Sequence, residues 1–230
     1  MFLGVAGILY GAKLAYWQTD FKRLVAYTSV SHMGFVVLGV FAFNELALQG
    51  VVMQMITHGL STGALFILAG SLYERIHTRD MLKMGGFWPR MPFMAFVTLV
   101  FAMASLGLPG LGNFVAEFLT LIGAWQASPV LTVFAAIGVV FATVYSLRII
   151  QKIFYEKEVQ TEHPLFDLSL REKVIFIPMV IVIIWLGVYP ESVLRTSEPP
   201  IQKVLEHTDT PSGASVSDRP WFVSNLKDHE

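Results

Sequence analysis

The sequence predicts an all-α integral membrane protein, and three observations carry that prediction. Of its 230 residues, 54% are hydrophobic and only 14% charged, with a mean hydropathy of +0.60; soluble domains carry about 25% charged residues. The apolar residues fall into long runs separated by short polar connectors. One run, Phe93 to Leu147, is too long for a single crossing and is interrupted by Gly107, Pro109, Gly110, Gly112 and Asn113. About six transmembrane helices result, the one over 93–125 being broken at the Gly/Pro stretch. The runs divide the chain into a transmembrane domain over 1–190 and an extramembrane tail over 191–230.

Phe2 to Trp17 is apolar but short of the roughly 20 residues a spanning helix needs. It reads as a truncated first helix, and more chain is expected before Met1. After a polar turn holding Asp20, Lys22 and Arg23, Leu24 to Phe43 forms a second span, with His32 near its middle. Asn44-Glu45 turns the chain into Leu46 to Leu72, with His58 near mid-span. Gly59, Ser61 and Gly63 are small enough to let helices approach closely. Tyr73 to Pro92 is a charged connector. As one straight helix, Phe93 to Trp125 would extend about 50 Å, against a hydrocarbon core of about 30 Å. Two half-helices joined by unwound backbone fit better. Pro129 to Phe154 is the next span, Tyr155 to Lys173 a loop, and Val174 to Tyr189 a final helix with Pro178 near its start. Glu191 to Glu230 is acidic and contains Pro199-Pro200, so it reads as a surface segment with little packed core. Trp221 and Phe222 are candidate interface anchors for it.

Basic residues set the orientation. The connectors after odd-numbered helices, with the adjoining helix ends, hold Lys13, Lys22, Arg23, Arg75, Arg79, Lys83, Arg90, Arg148, Lys152, Lys157, Arg171 and Lys173; the remaining four lie in the tail. The connectors after odd helices are therefore expected on the cytoplasmic side, with both chain ends opposite.

Cysteine is absent, so the chain offers no disulfide and no thiolate site for zinc or an iron–sulfur cluster. No basic leader with a small-residue processing site opens the chain. The glycines at 107, 110 and 112 neither follow a strand nor precede a lysine, which removes a nucleotide loop.

Glu117 is the only charged residue between Phe93 and Leu147. Placing a carboxylate in hydrocarbon costs about 2.5–3.5 kcal/mol on insertion scales. Such a group holds its proton while dry and releases it when hydrated or beside a cation, as a relay on an ion path requires. The plainer reading is a neutral acid bonding the carbonyls freed by the helix break. His32 and His58 have the same two readings, proton relay or interhelical hydrogen-bond anchor, with paired haem ligation as a third. Two histidines and a glutamate near mid-depth on successive spans form a row, as a lateral proton path would need. Ser29, Ser31, Thr57, Ser61 and Thr62 flank the histidines, to hold water or to bond backbone carbonyls. Lys22 and Arg23 read as snorkelling topology signals, with proton uptake from the cytoplasm as a second role for Lys22.

The stretch Asp20-Phe21-Lys22-Arg23-Leu24-Val25-Ala26-Tyr27-Thr28-Ser29-Val30-Ser31-His32-Met33-Gly34 resembles the hallmark of the antiporter-like subunits of respiratory complex I. His58-Gly59-Leu60-Ser61, Tyr73-Glu74-Arg75-Ile76-His77-Thr78-Arg79-Asp80 and Leu108 through Phe118 extend the resemblance, which covers roughly 1–195. It implies a fold of two inverted five-helix repeats, each with a broken helix, and a polar axis along the membrane. His32 and His58 would belong to that axis and Glu117 to the outward-leading end of its half-channel. It implies proton movement coupled to electron transfer from NADH to quinone elsewhere, in a bacterial inner (plasma) membrane, with a periplasmic tail. The partners implied are the lipid bilayer and other membrane-arm subunits, antiporter-like ones included, with no nucleic acid. FMN, iron–sulfur clusters and quinone would sit in those other subunits, and this chain would carry no cofactor, metal or redox centre. Only the second repeat, without most of its first helix, and the final helix are present, so a C-terminal portion of a longer protein is expected, with a partner chain supplying the first repeat as the alternative. A subunit of a multi-subunit Na+/H+ antiporter shares these features, and a membrane scaffold without transport is a further alternative.

Overall fold

Helix starts are written locally. Asp20 accepts a hydrogen bond from Arg23 N, Asn44 from Ala47 N, and Ser169 forms a reciprocal capping box with Glu172. Pro92 and Pro129 occupy first-turn positions, where a missing N–H costs nothing. The structure, a computed structural model, describes residues 1–157 and 165–209. Eight α-helices follow: α1 (Phe2–Trp17), α2 (Phe21–Val40), α3 (Glu45–Ile76), α4 (Pro92–Ser105), α5 (Gly112–Ala127), α6 (Pro129–Ile150), α7 (Leu170–Val188) and α8 (Glu191–Asp209). A short 3-10 turn covers Met81–Lys83, and α6 continues as a π-helical turn over Gln151–Tyr155. Among the described residues every regular element is helical.

Close crossings depend on glycine. A methyl group at Gly4 would sit 2.7 Å from Leu38 N, and one at Gly11 would sit 2.6 Å from Ser31 N, so α1 and α2 meet backbone to backbone. At the crossing of α3 and α5, a methyl at Gly50 would meet Thr120 N at 2.6 Å, and one at Gly112 would meet Thr57 Cγ2 at 2.6 Å. Gly59 and Gly63, expected to serve this purpose, have open space around them instead. The outward faces are apolar: Val133, Ile137 and Val140 of α6 and Ile181, Ile184 and Trp185 of α7 are all exposed, as a lipid-facing surface requires.

One end of the bundle is tied together by its connectors. Phe21 N donates to Arg79 O at 2.9 Å, Met81 N to Thr19 O at 2.8 Å, and Trp88 N to Phe154 O at 3.4 Å. Arg75 reaches from α3 to the chain before α7, donating to Phe166 O at 2.8 Å and pairing with Glu172 at 2.7 Å. Asp167 caps α4, accepting from Phe93 N at 2.8 Å and Met94 N at 3.0 Å. At the opposite end Asn44 donates to Gly123 O at 2.7 Å.

Among the described residues three helices are long and apolar enough to cross a membrane: α2, α3, and α6 with its extension to Tyr155. Together α7 and α8 make a fourth such stretch, bent by 67°, while α1 and α4 are apolar but shorter. Several boundaries move from their expected places: α2, expected over Leu24 to Phe43, runs Phe21–Val40 because Asp20 caps it. α3 runs on to Ile76, and α7 starts at Leu170 because Ser169 caps it there. The larger difference is α8. A segment expected to hold little packed core is a helix despite Pro199 and Pro200, with Ser197 and Ile201 buried against α3. Its apolar face and that of α3 (Leu48, Val51, Ile56, Val193, Ile201, Val204) bound a cleft of about 530 Å³ that none of the candidate site residues lines. Trp221 and Phe222 lie outside the described residues.

Candidate functional site

The break between α4 and α5 places the carboxyl group. Gly107 and Gly110 take φ of +75° and +95°, left-handed backbone that only glycine adopts freely. These turns stop α4 and restart the chain as α5 at Gly112. Glu117 then falls in the second turn of α5, 4% exposed, with Oε2 so near Gly107 that a methyl there would lie 2.8 Å from it.

From α2, His32 meets this carboxyl: Nδ1 lies 3.0 Å from Glu117 Oε1. The other ring nitrogen, Nε2, lies 3.3 Å from Ser105 Oγ, at the end of α4, and 3.5 Å from the Tyr145 hydroxyl of α6. Both nitrogens thus have partners in either protonation state. With a neutral ring, Nδ1–H donates to the carboxylate and Nε2 accepts from a hydroxyl; with a charged ring, both donate.

His58 comes from α3. Its ring centre is 5.2 Å from that of His32, with the planes tilted by 44°. Ser29 Oγ lies 2.9 Å from Nε2 and Thr62 Oγ1 lies 3.1 Å from Nδ1. Among the described residues no hydrogen bond joins the two imidazoles directly. The expected row is therefore one cluster, Glu117–His32–His58, in contact along its length and drawn from α5, α2 and α3.

The flanking hydroxyls divide by helix phase. Ser31 bonds Ile8 O, Thr57 bonds Met53 O and Ser61 bonds His58 O, so these three satisfy backbone carbonyls. Ser29 and Thr62 bond the His58 ring instead. Lys22 is not brought to the cluster: it is exposed at the start of α2, about 15 Å along the helix from His32. Ser105 and Tyr145 went unread in the sequence. Tyr145 carried a signal, a phenol inside the apolar run, whereas Ser105 looked like part of the break. Among the described residues no group of three or more metal-ligating side chains forms.

An all-helical apolar bundle with a broken helix and a buried imidazole–carboxylate pair defines an integral membrane protein of antiporter-like fold. Residues 1–144 match the family described as NADH:quinone oxidoreductase/Mrp antiporter, transmembrane. The chain belongs to that family. NADH-quinone oxidoreductase subunit M of Pseudomonas aeruginosa is 56% identical over 197 residues, which are 86% of this chain and 38% of that protein. The subunit M of Escherichia coli K12 is 50% identical over 228 residues, 98% of this chain and 42% of that protein. The chain thus spans about two fifths of the length of these relatives, 38% and 42%. In solved structures, respiratory complex I from Thermus thermophilus contains a chain superposing with a TM-score of 0.83 at 36% identity, over 89% of this chain and 43% of that one. A chain of the Mrp complex from Dietzia sp. shares the fold, with a TM-score of 0.81 at 19% identity over 90% and 48%.

Proposed function

We propose that this chain is the proton-conducting C-terminal part of a membrane-arm subunit of the M type (the mitochondrial subunit 4 type) in a bacterial NADH–quinone oxidoreductase. It moves protons across the inner membrane, driven by electron transfer from NADH to quinone in other subunits. The carrying observation is the buried contact of Glu117 with His32 and of His32 with His58. Three titratable groups in one polar thread give a proton somewhere to stand at mid-bundle, and Ser29, Thr62, Ser105 and Tyr145 hold the rings in register. The relay passes a proton between Glu117 Oε1 and His32 Nδ1, then on towards His58. Lys22 takes up protons at the cytoplasmic surface, a role supported only by its position at the start of α2.

Six crossings suit this reading, α4 and α5 counting as one, with 1–190 in the membrane and 191–230 outside it on the periplasmic side. The connectors tied together at one end carry the basic residues, which supports placing that end in the cytoplasm. Partners are the bilayer and other membrane-arm subunits, antiporter-like ones among them; FMN, iron–sulfur clusters and quinone belong to other subunits.

A subunit of a multi-subunit Na+/H+ antiporter is the second reading, favoured by the family's double description. Co-purifying flavin and iron–sulfur absorbance separates the two. The deciding experiment measures proton pumping and quinone reductase activity in vesicles of the assembled complex with Glu117→Gln. Lost pumping in an intact complex supports conduction; parent-level pumping leaves a scaffold.

A further inference from the structure

Gln54 is fully buried, and neither its Oε1 nor its Nε2 has a hydrogen-bond partner among the described residues. A primary amide offers two donors and two acceptor lone pairs, and buried polar side chains are almost always partnered. Its place in the bundle is specific. Gln54 lies one turn after Gly50 and one turn before His58 on α3. Gly50 and Thr57, on either side of it, are where α3 meets α5: a methyl at Gly50 would lie 2.9 Å from Ala116 O, and Thr57 closes on Gly112. Gln54 therefore lies on the face that α5 covers, level with the turn carrying Glu117. A second orphan lies on α5 at the same seam, next to the Gly112 that meets Thr57. Asn113 donates from Nδ2 to Ser61 Oγ at 3.1 Å, while its buried Oδ1 has no partner among the described residues.

With 0% of Gln54 exposed, the amide is closed off from the surface of the bundle. Water is the one hydrogen-bonding species small enough to join it inside the bundle. Helix packing does not call for an amide here, because an apolar residue of the same shape would fill the space and orphan nothing.

We infer that Gln54 binds water at the seam of α3 and α5, which extends the Glu117–His32–His58 row towards the turn between α2 and α3. Gln54 is then a positioning residue for proton transfer: it orients the water that continues the row beyond the imidazoles. The inference rests on the proton-conduction reading above and adds a direction to it.

The test uses the full-length chain in its assembled complex. Gln54→Met keeps the shape and removes the amide, while Gln54→Glu keeps the shape and a polar head, with a second oxygen in place of the amide nitrogen. Proton pumping in vesicles and quinone reductase activity are followed across a pH series, with assembly checked by native electrophoresis. Gln54→Met is expected to assemble and to lose pumping on the order of tenfold. Gln54→Glu is expected to restore most of it with a displaced pH profile, since it adds a titrating group. Parent-level pumping in Gln54→Met, or failure of that variant to assemble, overturns the inference. So does a Gln54→Glu variant as slow as Gln54→Met. Glu117→Gln in the same vesicles separates the two levels: if it also pumps like the parent, the conduction reading falls. If Glu117→Gln alone loses pumping, only the water site falls.

Discussion

His32 Nδ1 lies 3.0 Å from Glu117 Oε1, with the two side chains 1% and 5% exposed. Neither group is comfortable alone in so dry a place. An unpaired charge there is expensive, and an unpaired neutral group leaves hydrogen bonds unmade. The pair therefore acts as a unit, each side chain supplying the hydrogen-bond partner the other needs.

A double-mutant cycle reads that unity directly. His32→Gln and Glu117→Gln are each expected to cut proton pumping on the order of a hundredfold, and the double variant to be no worse than the weaker single. Pumping rates in vesicles of equal complex content decide it, and multiplying losses would mean that the two residues act separately.

Gly107 is the tightest constraint on the carboxyl group. Alanine there meets both a left-handed backbone and Glu117 Oε2, so Gly107→Ala is expected to destabilise the bundle by about 1–2 kcal/mol and to slow pumping more than its stability loss explains. Thermal unfolding in detergent gives the first quantity and vesicle assays the second. A variant stable and active like the parent would refute the account of the break.

Gly187 of α7 passes directly over the backbone of Gly110, where any side chain would strike the carbonyl. Gly187→Ala should displace α7 from the break and reduce the amount of assembled complex. Native gels would show this, and normal assembly would mean that α7 shifts freely.

Arg75 makes a forked contact with Glu172, at 2.7 and 3.0 Å, and donates to Ser71 O and Phe166 O. Lysine cannot reproduce that fork. Arg75→Lys is expected to cost about 1.5–3 kcal/mol of stability, seen as a lower melting temperature with pumping per assembled complex unchanged. A melting temperature equal to the parent's would reduce the clamp to a surface contact.

The break was legible because Gly107, Pro109 and Gly110 are chemically unlike their surroundings, and Glu117, His32 and His58 because a titratable group inside an apolar run stands out. What completes the site was not. Ser105 and Tyr145 lie 73 and 113 residues from His32 in the chain, and no local pattern encodes a meeting of four helices. The hydroxyls near the histidines look alike in sequence; helix phase alone sends Ser29 and Thr62 to the ring and Ser31 and Thr57 to carbonyls. α8 was hidden for the opposite reason. Pro199-Pro200 is a strong local signal against helix, overruled by an apolar face that α3 covers.

The connector ties bear on how the break can move. α4 is fastened at its start by Asp167, and the far end of α5 is held by Asn44 through Gly123 O. Two half-helices pinned at their outer ends cannot slide or tilt as whole rods. Their freedom is confined to the few residues between Ser105 and Gly112, where Gly107 borders the carboxyl group. Motion there works like an elbow between two clamped forearms: a small rotation moves the Glu117 carboxyl group against His32 and leaves the walls of the bundle in place.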